Sequence, residues 1–122
     1  MNDTDTLRAA SLCESGLSHL AQGEPAEAAL AFGQAIAADS ACVEAHHGLV
    51  RALRDCGRLE ESIAAALALT VLTPDDPLAH TALSISLQAA GHIPQAEAAA
   101  GRARILEWKF QLQSPPSREP SS

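Results

Sequence analysis

His46 and His47 stand side by side, and with His19, His80 and His92 they make up the five imidazoles of this 122-residue chain. Neighbours on a helix point about 100° apart, so the pair is badly placed to share one metal ion. His46 and His80 are separated by 34 residues (80 − 46) and fall at the same place in an apolar stripe, which argues for packing rather than ligation; His19 reads the same way. Cys13, Cys42 and Cys56 contain no CxxC pair, and no Cys/His pair has the short spacing of a zinc site. Three thiols suit free cysteines in a reducing compartment. Cys56, next to Gly57, reads as a helix-end residue rather than an activated nucleophile. Glu60-Glu61 opens a helix, where acids favour the dipole without any catalytic role. The seven glycines are scattered, with no phosphate-cradling loop. No catalytic group, metal or cofactor is expected. What remains is Arg51 and Arg54, two guanidiniums one helical turn apart, able to take a carboxylate in a bidentate grip. The plainer alternative leaves them solvated or paired with Glu44 and Asp55.

The elements that hold these side chains are set by three glycines. Gly23, Gly57 and Gly91 are evenly spaced, since 57 − 23 and 91 − 57 both equal 34. A period of 34 is the length of a helix–turn–helix unit that stacks on its copies, with the glycine in the turn. In the middle unit, Val43, His46, Leu49, Val50 and Leu53 trace the stripe of an amphipathic helix over 43–56. The second helix, over 59–72, is apolar almost all round, as expected of a helix flanked by neighbours. Pro74 ends it, Asp75 or Asp76 caps the next, and Pro77 fits that helix's first turn. The units run from 9 to 42, 43 to 76 and 77 to 111, after a flank of residues 1–8. The last helix continues to Leu112, longer than a normal second helix, and the Pro/Ser-rich residues 114–122 read as a disordered tail. One all-α domain over 9–113 is the expected architecture.

Composition agrees. Hydrophobic residues make up 47% of the chain, much of it alanine, while aromatics at 2% are too few for a typical β-sandwich. A net charge of −7 without a basic patch disfavours nucleic acid and anionic lipid. The acidic start, Met1 to Thr6, does not read as a signal peptide, and the richest apolar run, Ile63 to Leu72, is half the ~20 residues a membrane span needs. A cytoplasmic location without membrane insertion follows as the expectation.

The pattern resembles the tetratricopeptide repeat. The middle unit carries it in His46, Leu49, Val50, Leu53, Gly57, Ser62, Ala66, Leu69 and Pro74. The first unit offers Leu12, Gly16, His19, Gly23, Ala28, Phe32 and Ala35, and the third His80, Leu83, Leu87, Gly91, Ala96, Ala100 and Ala103. Ser40 and Trp108 stand where the closing proline would be, and His, Leu or Ala replace most of the usual aromatics, which implies thinner packing. The resemblance implies a three-repeat helical solenoid whose first helices line a concave peptide-binding groove. Carried onto this sequence, that groove would hold Cys13, Glu14, Leu17 and Leu20, then Glu44, His47, Arg51 and Arg54, then Leu78, Thr81, Ile85 and Gln88. Apolar ends with a basic centre suit a peptide of apolar anchors around a carboxylate. Co-chaperones of this family that grip the acidic C-terminus of heat-shock proteins use Lys, Asn and Arg at groove positions that fall here on Cys13, Leu17, Gly48, Leu78 and Ala82, and none matches.

The resemblance thus implies a non-catalytic adaptor or assembly chaperone that binds a segment of another protein. The alternative is a structural, oligomer-forming subunit using its convex face and last helix. Trp108 and Phe110, two of three aromatics, carry that choice: either Trp108 with Ile105 and Leu112 closes the core, the favoured reading, or the cluster docks a partner or a second copy as a homodimer.

Overall fold

A computed structural model describes residues 3–113, in which six helices follow one another. They are α1 (Asp3–Ala21), α2 (Pro25–Ala38), α3 (Val43–Asp55), α4 (Leu59–Leu72), α5 (Pro77–Ala89) and α6 (Ile93–Gln113). The helices of the middle unit match their sequence-derived limits to within a residue. The flank does not stand apart, because α1 starts at Asp3, with Asp3 and Asp5 favouring the helix dipole in its first turn. The tail over 114–122 lies outside the described residues.

Each intra-repeat turn closes in the same way. Gly23, Gly57 and Gly91 have φ of 75°, 78° and 86°, the left-handed region that glycine enters without steric cost. That conformation lets the next amide reach back five residues: Glu24 to His19 O at 2.8 Å, Arg58 to Leu53 O at 2.9 Å, and His92 to Leu87 O at 2.9 Å. Carbonyls that the helix end would orphan are thereby satisfied. Between repeats two and three, Asp76 caps α5 by accepting from the Leu78 amide at 2.9 Å, one residue before Pro77.

Adjacent helices pack in pairs, and the first helices also touch one another: α1 meets α3, and α3 meets α5. Among the described residues α2 and α4 make no such contact, nor do α4 and α6. The first helices therefore form the tight inner layer and the second helices splay outside, which makes the α1–α3–α5 face the concave one.

Where the two helices of a repeat cross, Val50 faces Ser62 in the middle repeat and Ser84 faces Ala96 in the third. In the middle repeat the Ser62 hydroxyl donates to Val50 O at 2.9 Å and in turn receives the Ser86 hydroxyl at 2.7 Å. In the third, Ser84 donates to Ala96 O at 2.8 Å. All three serines are buried and satisfied.

Two expectations need correction. α4 is apolar around most of its circumference but not buried all round: Leu67 is 50% and Val71 80% exposed, because neighbouring second helices splay away from it. Trp108, favoured as the core-closing residue, is 61% exposed, with Ile105 and Leu112 exposed beside it. The end of the stack is finished differently. Glu97 occupies, one period on (97 − 63 = 34), the place where the middle repeat buries Ile63, so an exposed carboxylate stands where an apolar side chain would need a further repeat to cover it. Leu106 rather than Trp108 is buried from that part of α6, which at 21 residues against 14 in α2 and α4 continues past the stack.

Candidate functional site

The concave face holds two adjoining hollows. The first, about 450 Å³, lies between α1, α3 and the start of α5; Cys13, Leu17 and Leu20 form one wall and Glu44, His47 and Arg51 the other, with Leu78 at the edge. The second, about 290 Å³, shares His47, Arg51 and Leu78 and adds Arg54, Thr81 and Ile85. Ten of the twelve groove residues carried onto the sequence thus line one continuous face, and Glu14 lines neither hollow. Gln88 does not join them; it borders a separate hollow of about 140 Å³ between α5 and α6, with Ser84, Ile93, Glu97 and Ala100. Trp108 lines none of these hollows, and Phe110 borders a further one beside Asp75, Leu106 and Lys109 on the outer side.

The floor of the first hollow is Phe32, which the groove reading missed. Its ring belongs to α2 yet reaches through the first-helix layer, because Gly16 on α1 and Gly48 on α3 leave room for it. A Cβ on Gly16 would stand 2.6 Å from Phe32 Cζ, and one on Gly48 would stand 2.3 Å from Cε1. Both are closer than real side chains approach. The ring is 1% exposed. The available signal was two glycines in mid-helix, each costing roughly 1 kcal/mol of helix propensity relative to alanine and so demanding a packing reason. Asp76, the α5 cap, also lines this hollow.

The charges divide along the groove. Arg51 lies 3.7 Å from Asp55, an exposed i,i+4 pair worth little energetically. Arg54 is half-buried and makes no ion pair among the described residues. His47 lies at the junction, where burial holds its pKa below the ordinary 6.5; the Asp76 carboxylate opposes that shift and His46 adds to it.

The other histidines have structural partners. His46 donates through Nε2 to Ser40 O at 2.9 Å, and His80 to Pro74 O at 2.8 Å, the same bond one repeat later. Each ring ties the first turns of its helix to the preceding inter-repeat loop. His19 meets Glu24 at 2.7 Å and His92 meets Glu60 at 3.1 Å. Among the described residues no three His, Cys, Asp or Glu side chains converge as a metal set, and no helix is long and apolar enough to cross a membrane.

This is a helical-repeat scaffold with its hollows on the inner layer. A tetratricopeptide repeat family model matches residues 13–77, more than half the chain, and the protein belongs to that family. The fold resembles the second tetratricopeptide domain of Spaghetti (RPAP3) bound to the HSP90 peptide SRMEEVD, with 17% identity and a TM-score of 0.77 over 84% of this chain and 95% of that one. It also resembles the type III secretion translocator chaperone SycD of Yersinia enterocolitica, with 17% identity and a TM-score of 0.78 over 91% and 88%. MamA is similar at 19% identity and a TM-score of 0.80, over 88% of this chain and 63% of that one. No curated protein matches the sequence.

Proposed function

We propose that this protein is a non-catalytic adaptor or assembly chaperone whose concave groove holds a segment of another protein. The observation that carries the reading is the pair of adjoining hollows, apolar at Leu17, Leu20 and Phe32, basic at Arg51 and Arg54, apolar again at Leu78 and Ile85. Leu17 and Leu78 are more than half exposed, an apolar surface that a bound peptide would cover. The ligand is a segment with apolar side chains on both sides of an acidic one: the first anchor rests on the Phe32 floor and the carboxylate meets the guanidiniums. Similar folds offer a precedent in the HSP90 peptide of the RPAP3 complex and in the chaperone SycD. The HSP90-type tail itself is a poor fit here, because Cys13, Leu17, Gly48, Leu78 and Ala82 replace the polar groups that would hold its terminal carboxylate. The repeats over residues 9–113, with α1 beginning ahead of them at Asp3, form one module that works in the cytoplasm, in keeping with its free thiols.

The test is an array of short peptides varying the apolar–acidic–apolar order, followed by amide shift mapping of the bound complex. Shifts should concentrate at Leu17, His47, Arg51 and Leu78. Binding that leaves these four unmoved would refute the groove as the site.

A second reading has its own observation. The exposed Trp108, Phe110 and Leu112 on the overhanging end of α6 favour a structural subunit that docks a partner or a second copy there.

A further inference from the structure

Two of the three thiols meet. Cys13 projects from the middle of α1 and Cys42 immediately precedes α3, and their sulfurs stand 3.7 Å apart although 29 residues separate them in sequence. Cys13 is 1% exposed and lines the larger hollow; Cys42 is half-buried and open to small reagents. A disulfide bond is about 2.05 Å long, so its formation asks the two sulfurs to close a gap of ~1.7 Å. The pair joins separate helices rather than neighbouring turns of one helix, so a bond here would act on tertiary structure.

We propose that Cys13 and Cys42 form a reversible disulfide that ties α1 to the start of α3 along one wall of the groove, with a low-molecular-weight disulfide such as oxidised glutathione as the oxidant. The Cys42 sulfur, reached from solvent, loses its proton and attacks one sulfur of glutathione disulfide; that S–S bond breaks and a glutathione thiolate leaves and is protonated. The Cys13 sulfur then gives up its proton and attacks Cys42 Sγ, and the second glutathione leaves. Two protein thiols are oxidised by two electrons and one glutathione disulfide is reduced to two glutathione thiols. The order follows from the setting: burial, reinforced by the Cys42 sulfur beside it, pushes the Cys13 thiol up to about 12, so it is the resolving rather than the attacking group. Once formed, the bond closes a long loop and fixes the wall that Cys13 shares with Leu17, so the thiol state sets the shape of the larger hollow.

The experiment uses the full chain carrying Cys56→Ser, equilibrated in glutathione buffers of increasing oxidised fraction, then unfolded, alkylated and mapped by mass. Cys13 and Cys42 should disappear from the alkylated pool together, giving a monomer two hydrogens lighter without a retained glutathione. Its melting temperature should rise by roughly 10 °C, as loop closure stabilises the native state. Adding Cys42→Ser, at a half-buried position that leaves the core intact, should keep Cys13 fully alkylated under the same buffers. A glutathione that persists on Cys42 with Cys13 still free, a disulfide between two copies, or oxidation of Cys13 in the Cys42→Ser protein each overturns the proposal.

Discussion

The two halves of the groove are built on one 34-residue plan yet differ in depth, and the difference comes from a few small residues. Between α1 and α3, glycines at positions 16 and 48 admit the Phe32 ring, and the hollow measures about 450 Å³ with an aromatic floor. One period after Gly16, the place is held by Val50, and one period after Gly48 by Ala82, while the position of Phe32 passes to Ala66. The second hollow, about 290 Å³, has no aromatic floor and takes its character from Arg51 and Arg54 instead. A repeat fixes where the helices lie. The exceptions to the repeat decide what each stretch of groove can hold.

The sharpest way to break this contrast is to remove the floor. Phe32→Ala should cost ~3 to 5 kcal/mol, since a fully buried aromatic leaves a cavity that two glycines cannot fill. Thermal or urea unfolding would measure it, and a loss below about 1 kcal/mol would mean that the ring is not the keystone of the first hollow.

The reverse experiment adds a side chain where the ring needs space. Gly48→Ala gains helix propensity, yet its Cβ would meet Phe32 at 2.3 Å, so the net effect should be destabilising by ~1 to 3 kcal/mol. The same substitution at Gly33, where nothing lies within 4 Å, should instead stabilise slightly. Equal effects at the two glycines in chemical unfolding would erase the distinction.

In the second half the corresponding role falls to a hydroxyl. Ser62→Ala leaves the Ser86 hydroxyl and Val50 O without their buried partner, at a cost of ~1 to 2 kcal/mol. Replacing Ser62 and Ser86 together by alanine should cost less than the sum of the two single changes, because neither then strands the other. A double-mutant cycle on melting curves reads this coupling directly; strict additivity would show that the two hydroxyls act independently.

Much of this arrangement was legible in the sequence, for a physical reason. Helix limits and turns follow from local chemistry: glycine at a positive φ, aspartate before proline, a stripe of apolar residues at helical spacing. The groove residues followed from the family resemblance carried along the register, because stacking keeps equivalent positions on one face. Phe32 was not legible as a floor, since the two glycines that frame it sit on different helices and only their crossing brings them to one ring. The exposure of Val71 and Trp108 was hidden for the opposite reason: apolar spacing reports which residues prefer burial, whereas the splay of the second helices and the overhang of α6 decide whether anything is there to bury them. Trp108→Ala should accordingly change stability by no more than about 0.5 kcal/mol. Light scattering on the same variant tests self-association at this end: a wild-type dimer that dissolves identifies a docking site for a second copy, and an unchanged mass rules that homodimer out.

The smallest effect belongs to the residue the two hollows share. His47 has a folded-state pKa below its ordinary 6.5, chiefly through burial, so its charged form is less favoured in the native protein than in the unfolded chain. Well above pH 6.5 both states hold the ring neutral and stability is at its full value. As the pH falls through 6.5 toward the folded pKa, the unfolded state takes up the proton first, and the native state loses stability until its own ring titrates. The midpoint of urea unfolding should therefore drop modestly between neutral and mildly acidic pH, and His47→Gln should flatten that part of the curve. Proton NMR of the imidazoles gives a direct reading: His47 should titrate at a lower pH than the same ring in the unfolded chain. A native His47 titrating above 6.5 would mean that the Asp76 carboxylate, rather than burial, governs the junction of the groove.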